Sequence, residues 1–213
     1  GADATADAEP VAERQPRDDE ASTVALSVVI PTHNRRGLLQ QVLLALARQT
    51  HPASEFEVVV VDDGSRDGTQ EMLRRLQAPY TLRCYRQEQA GPSRARNRGI
   101  EESRGEVIVF LDDDVIPGPS FLEHHARQHQ TDASAVVIGK LSPATWERRP
   151  GWCRWEEQSL DRHFRALEQG RRTPSGRHLY SGNFSVRREH LLHVGGFDET
   201  MGRGEDIDLG YRL

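Results

Sequence analysis

Four short apolar runs recur along the first half of the chain, and polar residues follow each of them. The runs cover residues 25–30, 56–61, 82–85 and 107–111, and Pro31 is expected to end the first. Runs this short that are rich in β-branched residues predict buried strands, because a helix of the same length would be marginal.

The segments between these runs have apolar residues at helical spacing. Residues 38–46, 72–76 and 95–102 show this spacing, and a further helix at 121–128 precedes a fifth apolar run at 135–140. Strands and helices that alternate in this way predict an α/β fold. We therefore expect a Rossmann-like, mainly parallel sheet with right-handed crossovers and helices on both faces.

Polar side chains stand at the end of three predicted strands. Thr32 follows the first run, Asp63 the second, and Asp112, Asp113 and Asp114 the fourth. Parallel strands bring their carboxyl ends to one edge of the sheet, where ligands bind. Three crowded carboxylates repel one another unless a positive charge is shared between them, and Mg²⁺ or Mn²⁺ is the natural candidate. The alternative is a solvated acidic turn.

The turn after the first strand distinguishes between classes of nucleotide site. It reads PTHNRR, with no glycine before Gly37. A dinucleotide-binding sheet carries a G-x-G-x-x-G turn there, which places phosphate on a helix N-terminus. A dinucleotide site is therefore not predicted, and the phosphates of a nucleotide would have to be held in another way.

Seven short motifs occur in a fixed order along the chain. They are VIPTHNR at 29–35, VVDDGS at 60–65, ARNRG at 95–99, FLDDD at 110–114, GNFS at 182–185, GGFDE at 195–199 and GED at 204–206. Together they resemble the inverting family 2 glycosyltransferases with a GT-A fold, over residues 26–213. The resemblance implies transfer of a sugar from a nucleotide-diphosphate donor, a UDP-sugar by default. The acceptor would be a hydroxyl of a glycan, a lipid-linked saccharide or a small molecule.

The resemblance also implies roles for individual residues. Thr32 and Asp63 would contact the nucleobase, Asp112 the ribose or the hydration shell of the metal, and Asp113 and Asp114 an Mn²⁺ or Mg²⁺ ion that bridges the diphosphate. Which aspartate of the triplet ligates the metal stays open. The full set expected at the donor nucleotide is Pro31, Thr32, Asn34, Arg35, Asp63, Arg94, Arg98, Asp112 and Asp113.

The basic cluster Arg94, Arg96 and Arg98 precedes the strand that carries the acidic triplet. At least one of these guanidinium groups could bind the ribose or phosphate region of the donor. The alternative is a solvated helix face. Asn97 and Gly99 are expected to serve the packing of the helix instead.

A second carboxylate is needed on the opposite side of the anomeric carbon, where the acceptor oxygen must lose its proton. Glu205 and Asp206 follow Gly204 and open an apolar pattern that predicts a helix. Asp206 is the preferred general base and Glu205 the second choice, since successive residues of a helix point about 100° apart and only one can face the pocket. The alternative is a plain helix cap.

Residues 141–180 contain three tryptophans and several arginines. One interpretation is a flap that packs on the acceptor or on anionic lipid headgroups. The other is an insertion that its tryptophans anchor to the core. The histidines show no zinc-ligand spacing.

Composition limits the remaining possibilities. The chain has 213 residues, of which 36% are hydrophobic, enough for one domain at 24–213 after a disordered or loosely attached leader at 1–23. A net charge of −5 does not favour nucleic acid. Cys84 and Cys153 do not suggest a disulfide framework, and no apolar stretch approaches the ~20 residues of a membrane span. We expect a cytoplasmic protein, with peripheral contact at the inner face of the membrane if the flap binds lipid.

Two other classes of protein remain. A phosphatase of the haloacid dehalogenase type would use Asp112 as nucleophile and Asp114 as acid, but it needs a lysine, and Lys140 is the only one. A binding module would keep the nucleotide site without turnover. The chain also ends at Leu213, whereas members of the family usually continue. The acceptor side would then be completed by further helices, a partner or a second copy of the chain.

Overall fold

The computed structural model describes residues 25–142 and 151–213 of the chain. The predicted leader at 1–23 and Trp146 lie outside these residues. The strands are β1 (Leu26–Thr32), β2 (Phe56–Asp63), β3 (Thr81–Gln87), β4 (Val107–Leu111), β5 (Val137–Ile138) and β6 (Asn183–Arg187). The helices are α1 (Arg36–Leu46), α2 (Thr69–Arg75), α3 (Pro92–Glu102), α4 (Phe121–Thr131), α5 (Gly151–Glu168), α6 (Arg188–Val194) and α7 (Glu205–Arg212).

The six strands form one sheet in the order β3-β2-β1-β4-β6-β5. The first four strands run parallel, as predicted, and Leu26 stands beside Phe56 on one side and Val107 on the other. β6 runs antiparallel to both β4 and β5. The predicted α/β sheet is therefore confirmed, with an antiparallel strand inserted beside β4.

Two predicted strand boundaries were wrong. β1 continues through Pro31 to Thr32, and Pro31 pairs in register with Val61. Pairing of β1 with β4 ends at Val29, so the strand has a free edge beyond that point, where proline is tolerated. The fifth predicted strand, 135–140, is reduced to two residues that pair with the outer edge of β6.

Alternating side chains of the central strands pack into two hydrophobic cores, one on each face of the sheet. On one face Val28 and Val58 pack with residues of α1, α2 and α4. On the other face Val29 and Val59 pack with residues of α3, α6 and α7. Helices therefore cover both faces, as a buried parallel sheet requires.

Helix α3 lies unusually close to the sheet and also fixes a distant loop. A Cβ at Gly99 would overlap the side chain of Val29, so only glycine permits this contact. Asn97 uses its amide to bind the backbone of Phe197, since its Oδ1 accepts the Phe197 N–H at 2.8 Å and its Nδ2 donates to the carbonyl at 2.9 Å. The packing role predicted for Asn97 and Gly99 is confirmed.

The segment expected to form a flap contains α5, an 18-residue helix that the sequence analysis did not predict. Phe164 is 6% exposed and anchors the helix, whereas the side chain of Trp155 is 67% exposed. Trp155 therefore does not anchor the segment to the core. Among the described residues, no helix has the length and apolar character that crossing a membrane requires.

Candidate active site

The polar residues predicted at the strand ends do meet at one edge of the sheet. Thr32, at the end of β1, donates its hydroxyl to Asp113 Oδ2 at 2.7 Å. Asp113 follows β4 and is 4% exposed. Burial raises the pKa of Asp113, and the hydrogen bonds from Thr32 and Arg35 oppose that rise. The predicted proximity of the first and fourth strand ends is thus present as a direct contact.

Arg35 supplies a positive charge to the acidic triplet. Its Nη1 donates to Asp113 Oδ1 at 3.0 Å and to Asp114 Oδ2 at 2.8 Å. The charge of Asp113 raises the pKa of Arg35, so the guanidinium is firmly held in its cationic form. Part of the compensation that we attributed to a metal ion therefore comes from the chain itself.

Arg96 supplies the second positive charge, at Asp112. It lies on α3, is 5% exposed, and donates from Nη2 to Asp112 Oδ1 at 2.8 Å. Its Nη1 donates to Glu205 Oε1 at 3.3 Å, and its guanidinium carbon lies 5.5 Å from the centre of the Phe197 ring. One buried guanidinium therefore joins the acidic triplet to the first turn of α7.

The arginines chosen from the sequence, Arg94 and Arg98, do not reach the triplet through any contact among the described residues. Arg94 is exposed, and Arg98 donates to the carbonyl of Arg86 at 2.8 Å while it covers the ring of Tyr85. Helical spacing could have identified Arg96, because the buried residues Ser93, Gly99 and Ile100 lie on the same face of α3.

Asp63 is held in one orientation by the loop that leads into α3. Its Oδ1 accepts from Gln87 Nε2 and from the N–H of Ala90, both at 2.8 Å, and its Oδ2 accepts from the N–H of Gly91 at 2.9 Å. The Nδ1 of His33 lies 2.6 Å from the carbonyl of Asp63. A fixed carboxylate at this edge can accept a further hydrogen bond from a ligand.

Pro31 and Asn34 have structural tasks in this region. Pro31 lies within β1, and Asn34 adopts a φ of 52°, which asparagine tolerates better than most residues. Asn34 Oδ1 accepts the N–H of Arg66 at 2.7 Å, and its own N–H donates to Ser65 Oγ at 2.8 Å. These bonds join the loops after β1 and β2, so Asn34 shapes the edge on which a nucleotide would lie.

The triplet fits a metal ion through Asp114 rather than through all three carboxylates. The side chain of Asp113 is 6% exposed and pairs with both Thr32 and Arg35, whereas Asp114 pairs with Arg35 alone and is 44% exposed. Asp112 is 33% exposed and pairs with Arg96. The described residues contain no group of three or more His, Cys, Asp or Glu side chains placed to hold a metal. An open carboxylate is nevertheless a suitable ligand for a hard cation.

Glu205 and Asp206 open α7, as predicted, after Gly204 with a φ of 80°. They face different surroundings. Glu205 accepts from Arg96, whereas Asp206 accepts from the N–H of Ile207 at 2.8 Å and lies near Tyr180. Burial raises the pKa of Tyr180, and the charge of Asp206 raises it further. Of these two carboxylates, only that of Asp206 has no cationic partner among the described residues.

Comparison with known families identifies the family of the chain. Residues 27–195 match the family described as Glycosyl transferase family 2. The chain belongs to this family. Glu205 and Asp206 lie beyond the matched residues, so their position rests on the structure.

Several curated relatives of this family 2 chain are glycosyltransferases by name. Validoxylamine A glucosyltransferase of Streptomyces hygroscopicus subsp. jinggangensis is 35% identical, over 88% of this chain and 51% of the relative. Chondroitin synthase of Pasteurella multocida is 27% identical, over 89% of this chain and 23% of the relative. The chain therefore spans about half the length of the first relative and less of the second.

Solved structures confirm the predicted GT-A fold. S. aureus TarS 1-349 superposes with a TM-score of 0.71 at 24% identity, over 88% of this chain and 54% of that one. The mannosyltransferase PcManGT from Pyrobaculum calidifontis, solved in complex with GDP-Man and Mn²⁺, gives 0.66 at 23% identity, over 92% and 54%. At this identity the likeness concerns the fold alone.

Proposed function

We propose that this family 2 domain is a metal-dependent inverting glycosyltransferase that moves a sugar from a nucleotide-diphosphate donor to an acceptor hydroxyl. The observation that carries the proposal is the double contact of Arg96 with Asp112 and Glu205. This contact joins the carboxyl edge of the parallel strands, where a nucleotide would bind, to α7, which carries a second carboxylate. Displacement at an anomeric carbon needs groups on both of its sides.

The donor nucleotide lies along the carboxyl edge of β1, β2 and β4. Thr32 and the fixed carboxylate of Asp63 receive the nucleobase, and Asp112 receives the ribose. UDP is the first candidate because TarS, which shares the fold, has been solved with UDP-GlcNAc. GDP is the second because PcManGT has been solved with GDP-Man.

Asp114 is the residue best placed to hold Mn²⁺ or Mg²⁺, because it is the most open carboxylate of the triplet. A bound divalent cation would neutralise the charge that develops on the leaving diphosphate. PcManGT, which shares the fold, was solved with Mn²⁺, and this supports a divalent cation at the site. Arg35 lies at the same carboxylates and supplies a second positive charge near the phosphates.

Asp206 acts as the general base. The acceptor oxygen attacks the anomeric carbon, its proton passes to Asp206, and the bond from the anomeric carbon to the diphosphate oxygen breaks. The nucleotide diphosphate leaves with that electron pair, so the anomeric centre inverts in one displacement. Glu205 serves this step by fixing Arg96. Because its carboxylate already accepts a hydrogen bond from Arg96, Glu205 is the second choice for the base.

The family match favours glycosyl transfer over a haloacid dehalogenase phosphatase. A nucleotide-sugar binding module without turnover is the remaining alternative. Several expectations stay predictions. They concern the acceptor, which would be a glycan, a lipid-linked saccharide or a small molecule, and the involvement of a second copy of the chain. They also include a cytoplasmic location and contact with a membrane surface.

One assay separates these functions. The protein is incubated with UDP-, GDP- and dTDP-sugars in the presence of Mn²⁺, and the released nucleotide is measured. We expect release from one class of nucleotide sugar, and Asp206→Asn should lose it while still binding the nucleotide. Binding without release would indicate the module, and release of inorganic phosphate alone would indicate a phosphatase.

A further inference from the structure

A cavity lies beside α5. It has a volume of about 500 Å³ and is lined by residues of α5 together with Arg172 and Tyr180. Trp155, Arg162 and His163 line it from the helix. This volume suits a sugar-sized ligand, since small-molecule pockets are commonly about 300–1,000 Å³.

The cavity borders α7 through the segment that contains Tyr180. Tyr180 lines the cavity, and the same segment packs on α7, because a Cβ at Gly176 would overlap the backbone carbonyl of Gly210. The charge of Asp206 also raises the pKa of Tyr180. Two residues further on, the carbonyl of Gly182 accepts the N–H of Asp112 at 3.3 Å. A Cβ at Gly182 would approach Asp112 Oδ2 to 2.8 Å, so the chain passes tightly against the triplet. A ligand in the cavity would therefore lie near α7, the helix that begins with Glu205 and Asp206.

The polar lining of the cavity is made of hydrogen-bond donors. Arg172 Nη1 lies 3.1 Å from His163 Nδ1, so the imidazole accepts there and carries its proton on Nε2. Burial, His178 and Arg172 all lower the pKa of His163, which keeps the ring neutral near pH 7. Its Nε2 is buried and lacks a hydrogen-bond partner in the described part of the chain.

Arg172 has no acidic partner among the described residues. The partner that it does contact is the neutral His163. Asp161, on α5, pairs with Lys140 and Arg165. A guanidinium with a free face binds phosphate or carboxylate in a bidentate manner.

An aromatic surface completes the cavity. Trp155 is 67% exposed although it is large and apolar, and it lies at the cavity rather than in the core. An exposed indole offers a flat face to the C–H groups of a sugar ring and an N–H donor at its edge. Arginine and tryptophan together suit a ring that also carries a negative charge.

We propose that this cavity binds the acceptor and selects an anionic saccharide, one that carries a phosphate or a carboxylate. The inference rests on the proposed function, because it places the acceptor beside Asp206. The anion pairs with Arg172, and the ring packs on Trp155. A neutral sugar would leave the cationic end of the cavity without a partner.

The test follows the indole N–H signal of Trp155 by NMR, assigned with Trp155→Phe, as glucose 6-phosphate, glucuronate, glucose and inorganic phosphate are titrated separately. We expect both charged sugars to saturate the signal at concentrations about tenfold lower than glucose does, the scale of one charge-assisted hydrogen bond. Arg172→Gln should abolish this preference. Arg165→Gln, which removes an exposed arginine already paired with Asp161, should preserve it.

The result that overturns the inference is equal saturation by glucose and the charged sugars, or an anion preference that survives Arg172→Gln. Saturation by inorganic phosphate at the same concentration as glucose 6-phosphate would also overturn it, because the cavity would then be a plain anion site. Binding of UDP by the parent protein is measured in parallel. If the parent protein does not bind UDP, the result counts against the proposed function. If it binds UDP but shows no preference for the charged sugars, the result counts only against this inference.

Discussion

The guanidinium of Arg96 lies 3.3 Å from the carboxylate of Glu205, 109 residues further along the chain. The contact is buried on the arginine side, where the side chain is 6% exposed. Removing one partner of a buried ion pair leaves an uncompensated charge, which costs several kcal/mol. The pair therefore holds the start of α7 in a fixed position against the acidic triplet.

We predict that Arg96→Gln lowers transfer by about 10–100-fold, the usual cost of losing a residue that orients a reacting group. It should also destabilise the fold by roughly 3–5 kcal/mol, because Asp112 and Glu205 lose their partner. Transfer rates and chemical denaturation measure the two effects.

The matched control is Arg94→Gln, since Arg94 is exposed on the same helix. Arg96→Lys should recover part of the transfer rate, because it restores the charge but not the two-armed geometry. Equal behaviour of Arg96→Gln and Arg94→Gln would show that the Arg96 contacts are unimportant for transfer.

Much of this site could be predicted from the sequence, because strand ends are a local signal. The apolar runs identified β1, β2 and β4. Of the residues predicted at their ends, Thr32 and Asp113 are in contact, and Asp63 ends the neighbouring parallel strand β2. The pairing of Arg35 with Asp114 and of Arg96 with Glu205 could not be predicted. Those contacts depend on where distant segments meet in three dimensions.

The strand β6 shows a second limit of sequence analysis. Its buried residues include Ser185, which is 0% exposed and lies within hydrogen-bond distance of His125 and His129 on α4. A serine is favourable in that position only because two imidazole groups satisfy it. Its residue types therefore gave no clear strand signal, and the antiparallel strand was missed.

The proton acceptor can be identified by a pair of isosteric changes. Asp206→Asn removes the carboxylate that takes the proton from the attacking hydroxyl. The rate of transfer should therefore fall by a factor of roughly 10² to 10⁴, while UDP binding is retained. Glu205→Gln should have a smaller effect, through Arg96. A rate near that of the parent in Asp206→Asn, with a large loss in Glu205→Gln, would move the role to Glu205.

Nucleobase binding is tested at Asp63. Asp63→Ala should weaken UDP binding by about 1–3 kcal/mol, the cost of leaving a hydrogen-bonding group of the ligand unpaired. Calorimetry gives the affinity, and Asp132→Ala, a change at an exposed aspartate on the far side of α4, is the control. Unchanged affinity in Asp63→Ala would place the base elsewhere.

His125 makes the stability of the fold depend on pH. Its ring is 3% exposed, and burial lowers its pKa to about 4. The unfolded chain binds a proton to this group below a pH of about 6.5, whereas the folded chain does not until about pH 4. The free energy of unfolding should therefore fall as the pH is lowered through this range, by roughly 3 kcal/mol in total.

Chemical denaturation of the parent and of His125→Gln, at pH 7 and pH 4.5, measures this contribution. Because glutamine does not titrate, the variant should lose less stability between the two pH values than the parent does. The same loss in both proteins would mean that other groups cause the acid sensitivity.

Calorimetric titration of UDP is the most direct test of a metal-assisted donor site at the carboxyl edge of the sheet. Binding to the parent in Mn²⁺ should weaken at least about tenfold in EDTA, because the diphosphate then meets the acidic triplet without a divalent metal ion. Asp114→Asn in Mn²⁺ should show a similar loss. Equal UDP affinity with Mn²⁺ and with EDTA, or no UDP binding under either condition, would contradict the account.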